Sequence, residues 1–178
     1  TNRLIKRIFD IVLSAICILL LLPLFIIISL AIYISTRDNI FYSHKRIGKY
    51  GKEFYCLKFQ TMYKNSQQIL SELLEKDESS RLEWEKDFKL KNDPRVTYIG
   101  KFLRKTSLDE IPQLINVLMG EMSLVGPRPI VHDEIVKYKD DFYYYQLVHP
   151  GITGLWQISG RNDLNYSKRV RLDVCYIK

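Results

Sequence analysis

Apolar residues are distributed unevenly along this chain, and the first fifth differs sharply from the rest. Residues 11–34 contain no charged side chain, and Pro23 lies near the middle of this run. A helix of this length can cross a hydrocarbon core of about 30 Å. Proline removes a backbone hydrogen bond and bends a helix, which leaves two halves of about 16–18 Å each, roughly half a bilayer. The pattern therefore predicts a membrane helix that breaks at Pro23.

Basic residues flank the apolar run on both sides. Arg3, Lys6 and Arg7 precede it, and a second basic group begins at Arg37. Because basic flanks favour the cytoplasmic side, both ends of the helix are drawn to the same face. A re-entrant helix that bends at Pro23 and returns fits both features, and a kinked helix that crosses the bilayer is the alternative. A cleavable signal peptide is disfavoured, because the run is too long and no small-residue cleavage site follows.

Beyond residue 36 the spacing of apolar residues changes to that of a small mixed domain. Alternation over 40–62, around a turn at Gly48–Gly51, predicts a β-hairpin. Residues 66–90 are charged with apolar positions at helical spacing, which predicts one or two amphipathic helices. Further helices are expected over 111–119, ending at Gly120, and over 130–145. The predicted fold is α/β and predominantly helical, with a membrane helix over 1–36 and a cytosolic-face domain over 37–178.

Composition narrows the possible partners and the compartment. The net charge of +7 suits nucleic acid, anionic lipid or a phosphorylated substrate. No segment resembles a nucleic-acid-binding module, so membrane lipid is expected and nucleic acid is not. The three cysteines, Cys17, Cys56 and Cys175, are odd in number and widely spaced. This spacing is not that of a disulfide framework or metal cluster, and it agrees with a reducing cytoplasm.

Two adjacent carboxylates, Asp109 and Glu110, are the strongest candidates for chemistry. Neighbouring acids repel, so a site that keeps both usually places a cation or basic groups beside them. Ser107 and Glu110 also have the spacing of a capping box, in which both side chains satisfy free amides at a helix start. Pro112 fits that alternative poorly, because it would lie one turn into the helix. A later helix start would leave Asp109 free to act.

Several basic residues are candidates for phosphate binding, and each also has an ordinary interpretation. Arg128 lies between Pro127 and Pro129, which makes a stiff turn and also presents a guanidinium suited to bidentate phosphate binding. Lys58, at a predicted strand end, is by default a solvated lysine. Arg161 and Asn162 follow Gly160 and by default belong to a loop.

Five motifs in this order resemble the bacterial sugar transferase family, the monotopic polyprenyl-phosphate phosphoglycosyl transferases. They occupy residues 6–10 (KRIFD), 58–62 (KFQTM), 104–113 (RKTSLDEIPQ), 122–129 (MSLVGPRP) and 150–154 (PGITG). The similarity covers nearly the whole chain, and the combination of Asp-Glu with Pro-Arg-Pro is highly specific.

The resemblance implies transfer of a sugar-1-phosphate from a UDP-sugar to undecaprenyl phosphate, with release of UMP. It implies that Asp109 forms a phosphosugar-enzyme intermediate and that Glu110 binds Mg²⁺. Lys58, Arg104 and Arg128 match basic positions of the family that hold phosphate, and Arg161 and Asn162 lie where the family contacts the nucleotide-sugar. Asp173 matches a recurrent acidic position to which the resemblance gives no role.

The resemblance also bears on the membrane segment, the sugar and the setting. It favours the re-entrant helix, although the usual Ser-Pro break is Leu22-Pro23 here. The sequence around 156–162 is most similar to members that handle a hexose, galactose or glucose. The pathway stays open among O-antigen, capsule, exopolysaccharide and protein-glycan assembly. The expected location is the cytoplasmic face of a bacterial inner membrane, with a homodimer as a further expectation. An aromatic C-terminal stretch found in the family is absent, so the catalytic domain is expected to lack its C-terminal end.

Two other functions remain as alternatives. One is a membrane-anchored basic module that docks partners on anionic lipid, with its acids merely capping a helix. The other is a lipid-diphosphate hydrolase, which would act without a UDP-sugar. The first alternative predicts that Asp109→Asn keeps all function.

Overall fold

The computed structural model describes residues 2–87, 90–160 and 164–178, which are mainly helical. The helices are α1 (Asn2–Thr36), α2 (Ser66–Lys76), α3 (Glu78–Asp87), α4 (Tyr98–Thr106), α5 (Gln113–Met119), α6 (Ile135–Tyr138), α7 (Phe142–Tyr145), α8 (Leu155–Ile158) and α9 (Tyr166–Ile177). The strands are β1 (Phe41–Ile47), β2 (Glu53–Phe59), β3 (Ser123–Val125) and β4 (Gly151–Thr153). Strands β1 and β2 pair with each other, and β3 pairs in parallel with β4.

Most predicted elements are confirmed. The hairpin, the two helices after residue 66 and the glycine end of α5 are all present, and Gly120 has the expected left-handed backbone with φ 85°. The expected helix over 130–145 is broken into α6, α7 and 3-10 turns. Lys139 interrupts it with φ 51° and ψ −132°, a conformation that a helix cannot contain. Helix α9 and the β3–β4 pair were not predicted.

Helix α1 runs through Pro23 without an interruption of its helical assignment. It is the one helix within the described residues that is long and apolar enough to cross a membrane. Many of its apolar side chains are exposed to solvent in the isolated chain, among them Leu19 and Leu20. This pattern is weak evidence for membrane association, and the re-entrant topology stays a prediction, as does the domain boundary after residue 36.

The chain forms two compact units. The first comprises residues 1–23, 42–58 and 110–178, and the second comprises residues 24–41 and 59–109. One boundary between the units falls at Pro23, within α1, and another falls between Asp109 and Glu110.

In the first unit, the start of α1 is fixed to α5 and β3 by polar contacts. Arg7 donates hydrogen bonds to the carbonyls of Val117 and Leu118 in the last turn of α5, at 2.7 and 3.1 Å. Asp10 is buried and accepts from the Ser123 hydroxyl at 2.8 Å and the Leu124 amide at 3.2 Å. The motif at 6–10 therefore joins α1 to its own unit.

Two apolar clusters form the core of this first unit. One contains Ile47 and Ile130, which also share a backbone bridge, together with Tyr138 and Tyr145 from α6 and α7 and Val170 and Val174 from α9. The other joins the hairpin to α5 and β3 through Phe54, Cys56, Val117 and Met122. These clusters position the end of β2 and the segment that follows β3.

In the second unit, three phenylalanine rings pack around the end of the hairpin. The ring of Phe59 lies 4.8 Å from that of Phe25 and 5.6 Å from that of Phe41, measured between centroids. Leu103 of α4 is almost completely buried, and α2 packs on α3. Burial of Leu103 anchors α4 in the second unit and so helps to position the residues that follow this helix.

Candidate active site

The two candidate acids are consecutive in a single 3-10 turn, Leu108–Glu110, yet they differ in exposure. Asp109 closes the second unit and is 9% exposed. Glu110 is the first residue of the last segment of the first unit, and its side chain is 37% exposed.

In the second unit, Asp109 lies within electrostatic reach of Arg104. Burial lowers the pKa of the Arg104 guanidinium, and the negative charges of Asp109 and Asp93 oppose that shift. The Nε of Arg104 donates to the Thr61 hydroxyl at 2.9 Å, which fixes the guanidinium. The structure therefore places a buried carboxylate within electrostatic reach of a cation whose Nε is fixed by a hydrogen bond.

Thr61 also contacts the start of α4. Its carbonyl accepts from the Thr97 amide at 3.0 Å, and Thr97 caps α4 by accepting from the Gly100 amide at 2.8 Å. A Cβ added at Gly100 would lie 2.1 Å from the Thr61 carbonyl oxygen, so only glycine permits this approach. The KFQTM motif thus sets the position of the helix that carries Arg104.

Ser107 explains how the chain turns from α4 toward the two acids. It is the C-cap of α4 with a left-handed backbone, φ 58°, and its amide donates to the carbonyl of Arg104. Helix α5 begins only at Gln113, after Pro112. The capping-box alternative is therefore wrong, because Ser107 ends one helix and does not start the next. Proline at the helix start needs no amide partner, which accounts for Pro112.

In the first unit, Lys58 and Glu110 form a close ion pair. The Nζ of Lys58 donates to Oε1 of Glu110 at 2.6 Å, with side chains 29% and 37% exposed. The solvated-lysine interpretation of Lys58 is therefore wrong. The pair leaves part of the Glu110 carboxylate accessible to a ligand.

A buried amide in α5 holds the strand that carries Lys58. Asn116 is fully buried; its Oδ1 accepts from the Leu57 amide at 2.9 Å, and its Nδ2 donates to the Tyr55 carbonyl at 2.8 Å. The same Nδ2 donates to Glu121 at 2.6 Å. A side-chain amide can replace a neighbouring strand in this way, because it offers one donor group and one acceptor. Sequence reasoning missed Asn116, although a polar residue within the apolar run 114–119 was a usable signal.

Arg128 is the third cation predicted to bind phosphate, and backbone contacts fix the segment that contains it. Gly126 packs closely against the residues just before β4, and an added Cβ would lie 2.5 Å from the His149 carbonyl oxygen. The Pro127 carbonyl accepts from the Gly151 amide at 2.7 Å. The Gly-Pro-Arg-Pro and Pro-Gly motifs therefore fit each other backbone to backbone.

Two residues that the sequence analysis did not select complete this support. The Tyr145 hydroxyl donates to the Ile47 carbonyl at 2.8 Å, and it also lies 3.3 Å from the Arg128 carbonyl oxygen. Arg46 donates to the Pro129 carbonyl at 3.4 Å, and burial together with the Arg128 charge lowers its pKa. Two guanidinium groups so close to one another favour an anionic ligand.

Of the remaining predicted residues, Arg161 and Asn162 lie outside the described part of the chain, so their placement stays a prediction. Asp173 lies on α9 in the first unit and is 1% exposed. Burial raises the pKa of its carboxyl to about 7, against the lowering effects of the Tyr138 hydrogen bond and the Arg128 charge.

Glu110 is the side chain predicted to hold Mg²⁺. Within the described residues, no three His, Cys, Asp or Glu side chains are grouped to hold a metal ion. Mg²⁺ commonly takes only one or two protein carboxylates and completes its shell with water and substrate phosphates. Glu110, partly exposed and beside Lys58, fits that requirement when a diphosphate supplies the other oxygens.

The chain is similar to known proteins over its whole length. A family model described as "Bacterial sugar transferase" matches residues 1–178. The undecaprenyl-phosphate galactose phosphotransferase of Salmonella typhimurium is 56% identical over 180 residues, an alignment covering 100% of this chain and 37% of the relative. The exopolysaccharide production protein ExoY of Rhizobium meliloti is 47% identical over 173 residues, covering 97% of this chain and 76% of the relative.

A third relative is named for glucose. The UDP-glucose:undecaprenyl-phosphate glucose-1-phosphate transferase of Escherichia coli is 40% identical over 187 residues, covering 99% of this chain and 37% of the relative. The chain thus spans little more than a third of the length of the Salmonella and Escherichia relatives.

Proposed function

The chain belongs to the bacterial sugar transferase family, and we propose that it transfers a hexose-1-phosphate from a UDP-sugar to undecaprenyl phosphate, with release of UMP. The observation that carries the proposal is that each acid of the pair has its own cation. Asp109 lies beside Arg104 in one unit, and Glu110 is bound by Lys58 in the other. Positive charge beside consecutive carboxylates offsets their mutual repulsion, and the same cations suit a phosphorylated substrate.

In the first step, an oxygen of Asp109 attacks the phosphorus that carries the sugar. A bond forms between that oxygen and phosphorus, and the bond from phosphorus to the bridging oxygen breaks, so that UMP leaves with the electron pair. Arg104 is fixed by Thr61 and needs little reorganisation to stabilise the charge around phosphorus. The sugar-1-phosphate is then held on Asp109.

In the second step, an oxygen of undecaprenyl phosphate attacks the same phosphorus. The Asp109–phosphorus bond breaks, which regenerates the carboxylate and yields a lipid-linked diphosphosugar. Splitting one transfer into two displacements is the usual benefit of a covalent nucleophile. No proton has to be gained or lost overall, so the chain needs a nucleophile and charge compensation and no general acid.

The remaining residues would bind and orient the diphosphate. Glu110 would hold Mg²⁺, which neutralises charge on phosphate oxygens when it is bound. Lys58 directs the Glu110 carboxylate through their 2.6 Å contact. Arg128, presented on the rigid Pro127–Pro129 turn, would bind phosphate in bidentate fashion, and Arg161 and Asn162 would contact the nucleotide-sugar.

The membrane setting follows from the lipid substrate. We place α1 in the cytoplasmic leaflet of a bacterial inner membrane as a re-entrant helix, and the acids at its cytoplasmic face. Its exposed apolar side chains support contact with the membrane, and the basic residues on both of its flanks favour the same face for both ends. There, a long-chain lipid phosphate can meet a soluble nucleotide-sugar. The relatives named for galactose and glucose favour these two sugars, and the relative named for exopolysaccharide production favours that pathway.

The decisive experiment measures UMP release by the full-length protein with a panel of UDP-sugars, Mg²⁺, and undecaprenyl phosphate present or absent. We expect lipid-dependent UMP from UDP-galactose or UDP-glucose, a loss of at least about 10³-fold in Asp109→Asn, and no trapped phosphosugar adduct in that variant. A suitable control is Asp140→Asn, which removes an exposed carboxylate of the first unit.

Two results would contradict the proposal. Near-normal turnover by Asp109→Asn would remove Asp109 as the nucleophile. UMP release from no sugar would favour the membrane-anchored docking module, and phosphate release without any UDP-sugar would favour the lipid-diphosphate hydrolase.

A further inference from the structure

A buried carboxylate lies in the first unit, and the reaction described above does not use it. Asp173 of α9 is 1% exposed, and its Oδ2 accepts a 2.7 Å hydrogen bond from the Tyr138 hydroxyl. Among the described residues, its other oxygen has no hydrogen-bond partner. Burying a carboxylate with only one hydrogen bond is costly, so a purely structural role would be better served by a neutral side chain.

Asp173 and Arg128 line the same small cavity. Its volume is about 10 Å³, the room of one water molecule, and Tyr138 and Glu134 also border it. The charge of Arg128 acts on the Asp173 carboxyl and lowers its pKa. Asp173 and the Arg128 guanidinium therefore interact electrostatically across this cavity, without a direct hydrogen bond to the unsatisfied Asp173 oxygen.

The other charged groups at the cavity are already engaged. Arg169 donates to the Leu164 carbonyl at 3.0 Å and lies 4.9 Å from the Trp156 ring. Glu134 accepts from the Val131 amide at 3.0 Å and lies 3.8 Å from Arg46. Arg128 is therefore the cation on which the unsatisfied oxygen of Asp173 can act.

We propose that Asp173 is a positioning residue for Arg128: its ionised carboxylate, oriented by the Tyr138 hydroxyl, holds the inner side of the guanidinium so that the outer N–H donors face substrate phosphate. The inference rests on the proposed function. A guanidinium carries five donors in a rigid fork, so one edge can be held while the other binds phosphate. Loss of the negative charge would leave Arg128 in place on its turn but free to rotate.

This arrangement makes the positioning of Arg128 by Asp173 dependent on pH. Burial raises the Asp173 pKa to about 7, so the carboxylate loses its charge just below neutral pH. The groups that face it are Tyr138 on α6, Tyr145 on α7, Tyr166 and Arg169 on α9, and Arg128 and Glu134. The pKa values of the three tyrosines are raised, chiefly by burial, and these side chains stay neutral in this range.

The first test is the pH profile of UMP release by the full-length protein. We expect the unsubstituted protein to lose activity as pH falls through about 7. Asp173→Asn keeps an acceptor for Tyr138 but lacks the charge, and it should be about tenfold to a hundredfold slower at pH 8 with this acidic limb absent. Tyr138→Phe removes the hydrogen bond that lowers the Asp173 pKa and should move the limb to higher pH. Asp140→Asn, at an exposed position, should leave the profile unchanged.

The second test does not depend on activity. A raised carboxyl pKa means that, between about 4 and 7, the folded chain keeps a proton that the unfolded chain releases, so stability falls as pH rises through this range. Asp173→Asn should therefore gain thermal stability relative to the unsubstituted protein between pH 5 and pH 8. Arg128→Gln removes a compensating charge and should lower the Tm at pH 8, and this loss should disappear in an Asp173→Asn background.

The outcomes separate the inference from the proposed function. If the full-length protein releases no UMP at any pH, the proposed function fails, and the thermal cycle still decides whether Asp173 holds Arg128. If UMP is released but Asp173→Asn keeps the acidic limb, the inference is overturned and the function stands. Equal effects of Arg128→Gln on Tm in both backgrounds also overturn it.

Discussion

Asp109 and Glu110 are consecutive carboxylates, but their surroundings differ in a way that suits the different tasks proposed for them. Asp109 is 9% exposed and faces a cation that is fixed by a hydrogen bond. Glu110 is more exposed and bound to a lysine. A buried carboxylate with little water around it is the better covalent nucleophile, and an accessible one is the better ligand for a hydrated cation. Environment therefore distinguishes two residues that sequence alone treats as a pair.

Replacement of Glu110 tests this division at the residue scale. We expect Glu110→Gln to lower UMP release about 10²-fold and to raise the Mg²⁺ concentration needed for half-maximal activity, because the neutral amide binds the cation weakly. The measurement is a Mg²⁺ titration of initial rate. An unchanged Mg²⁺ response in Glu110→Gln would assign the metal to other residues.

The chain offers a matched control for that substitution. Lys45 and Glu53 form another Lys–Glu pair, at 3.1 Å, on the hairpin that also carries Lys58. Both side chains of this pair are about half exposed. Because exposed ion pairs contribute little to stability, Glu53→Gln should leave both the rate and the Mg²⁺ response unchanged.

At the scale of elements, Asn116 joins α5 to β2 and so fixes Lys58. Asn116→Ala would leave the Leu57 amide without this acceptor and the Tyr55 carbonyl without this donor. We expect a loss of about 2–4 kcal/mol in unfolding free energy, since each polar group left unsatisfied costs about 1–3 kcal/mol. UMP release should fall as well, because Lys58 follows Leu57 directly. Thermal or denaturant unfolding, combined with the rate, measures both effects.

Asn165 provides the comparison for this prediction. It caps α9 by accepting from the Lys168 amide at 2.9 Å and is exposed. Asn165→Ala should cost about 1 kcal/mol, the usual value for a lost N-cap, and should leave the rate unchanged. If the two substitutions lower stability equally, the proposed support of Lys58 by Asn116 is wrong.

At the scale of the whole molecule, labelling of the two ends of α1 tests its proposed re-entrant placement. We expect Arg3→Cys and Asp38→Cys, each in a background with Cys17, Cys56 and Cys175 replaced by serine, to react with an impermeant thiol reagent from the cytoplasmic side. Pro23→Ala should restore the missing helical hydrogen bond and favour crossing, which would expose one site on the opposite side. Inside-out and right-side-out vesicles distinguish these results.

Labelling of the two positions from opposite sides without any Pro23 substitution would defeat the re-entrant model. A neighbouring substitution, Leu22→Ala, controls for changes in side-chain packing, because it keeps the proline. It should leave both positions on the cytoplasmic side.

Local sequence determined much of the secondary structure and the identity of the candidate residues. The hairpin, α2, α3 and the end of α5 depend on alternation, helical spacing and glycine caps, which are properties of neighbouring residues. The candidate acids and bases were recognisable because consecutive carboxylates and a Pro-Arg-Pro turn are unusual and resemble a known family. The long apolar run was equally evident from composition.

Only the tertiary structure decided which residues meet. Lys58 binds Glu110 across 52 positions of sequence, and Tyr138 binds Asp173 across 35. The three-residue strands β3 and β4 have no local signal, and they form because Gly126 and Gly151 let two backbones approach closely. Ser107 has the sequence of a helix start but ends a helix, since packing of α4 on Thr61 fixes where that helix lies. Local patterns set what each segment can form, whereas burial and long-range hydrogen bonds select the contacts that build the site.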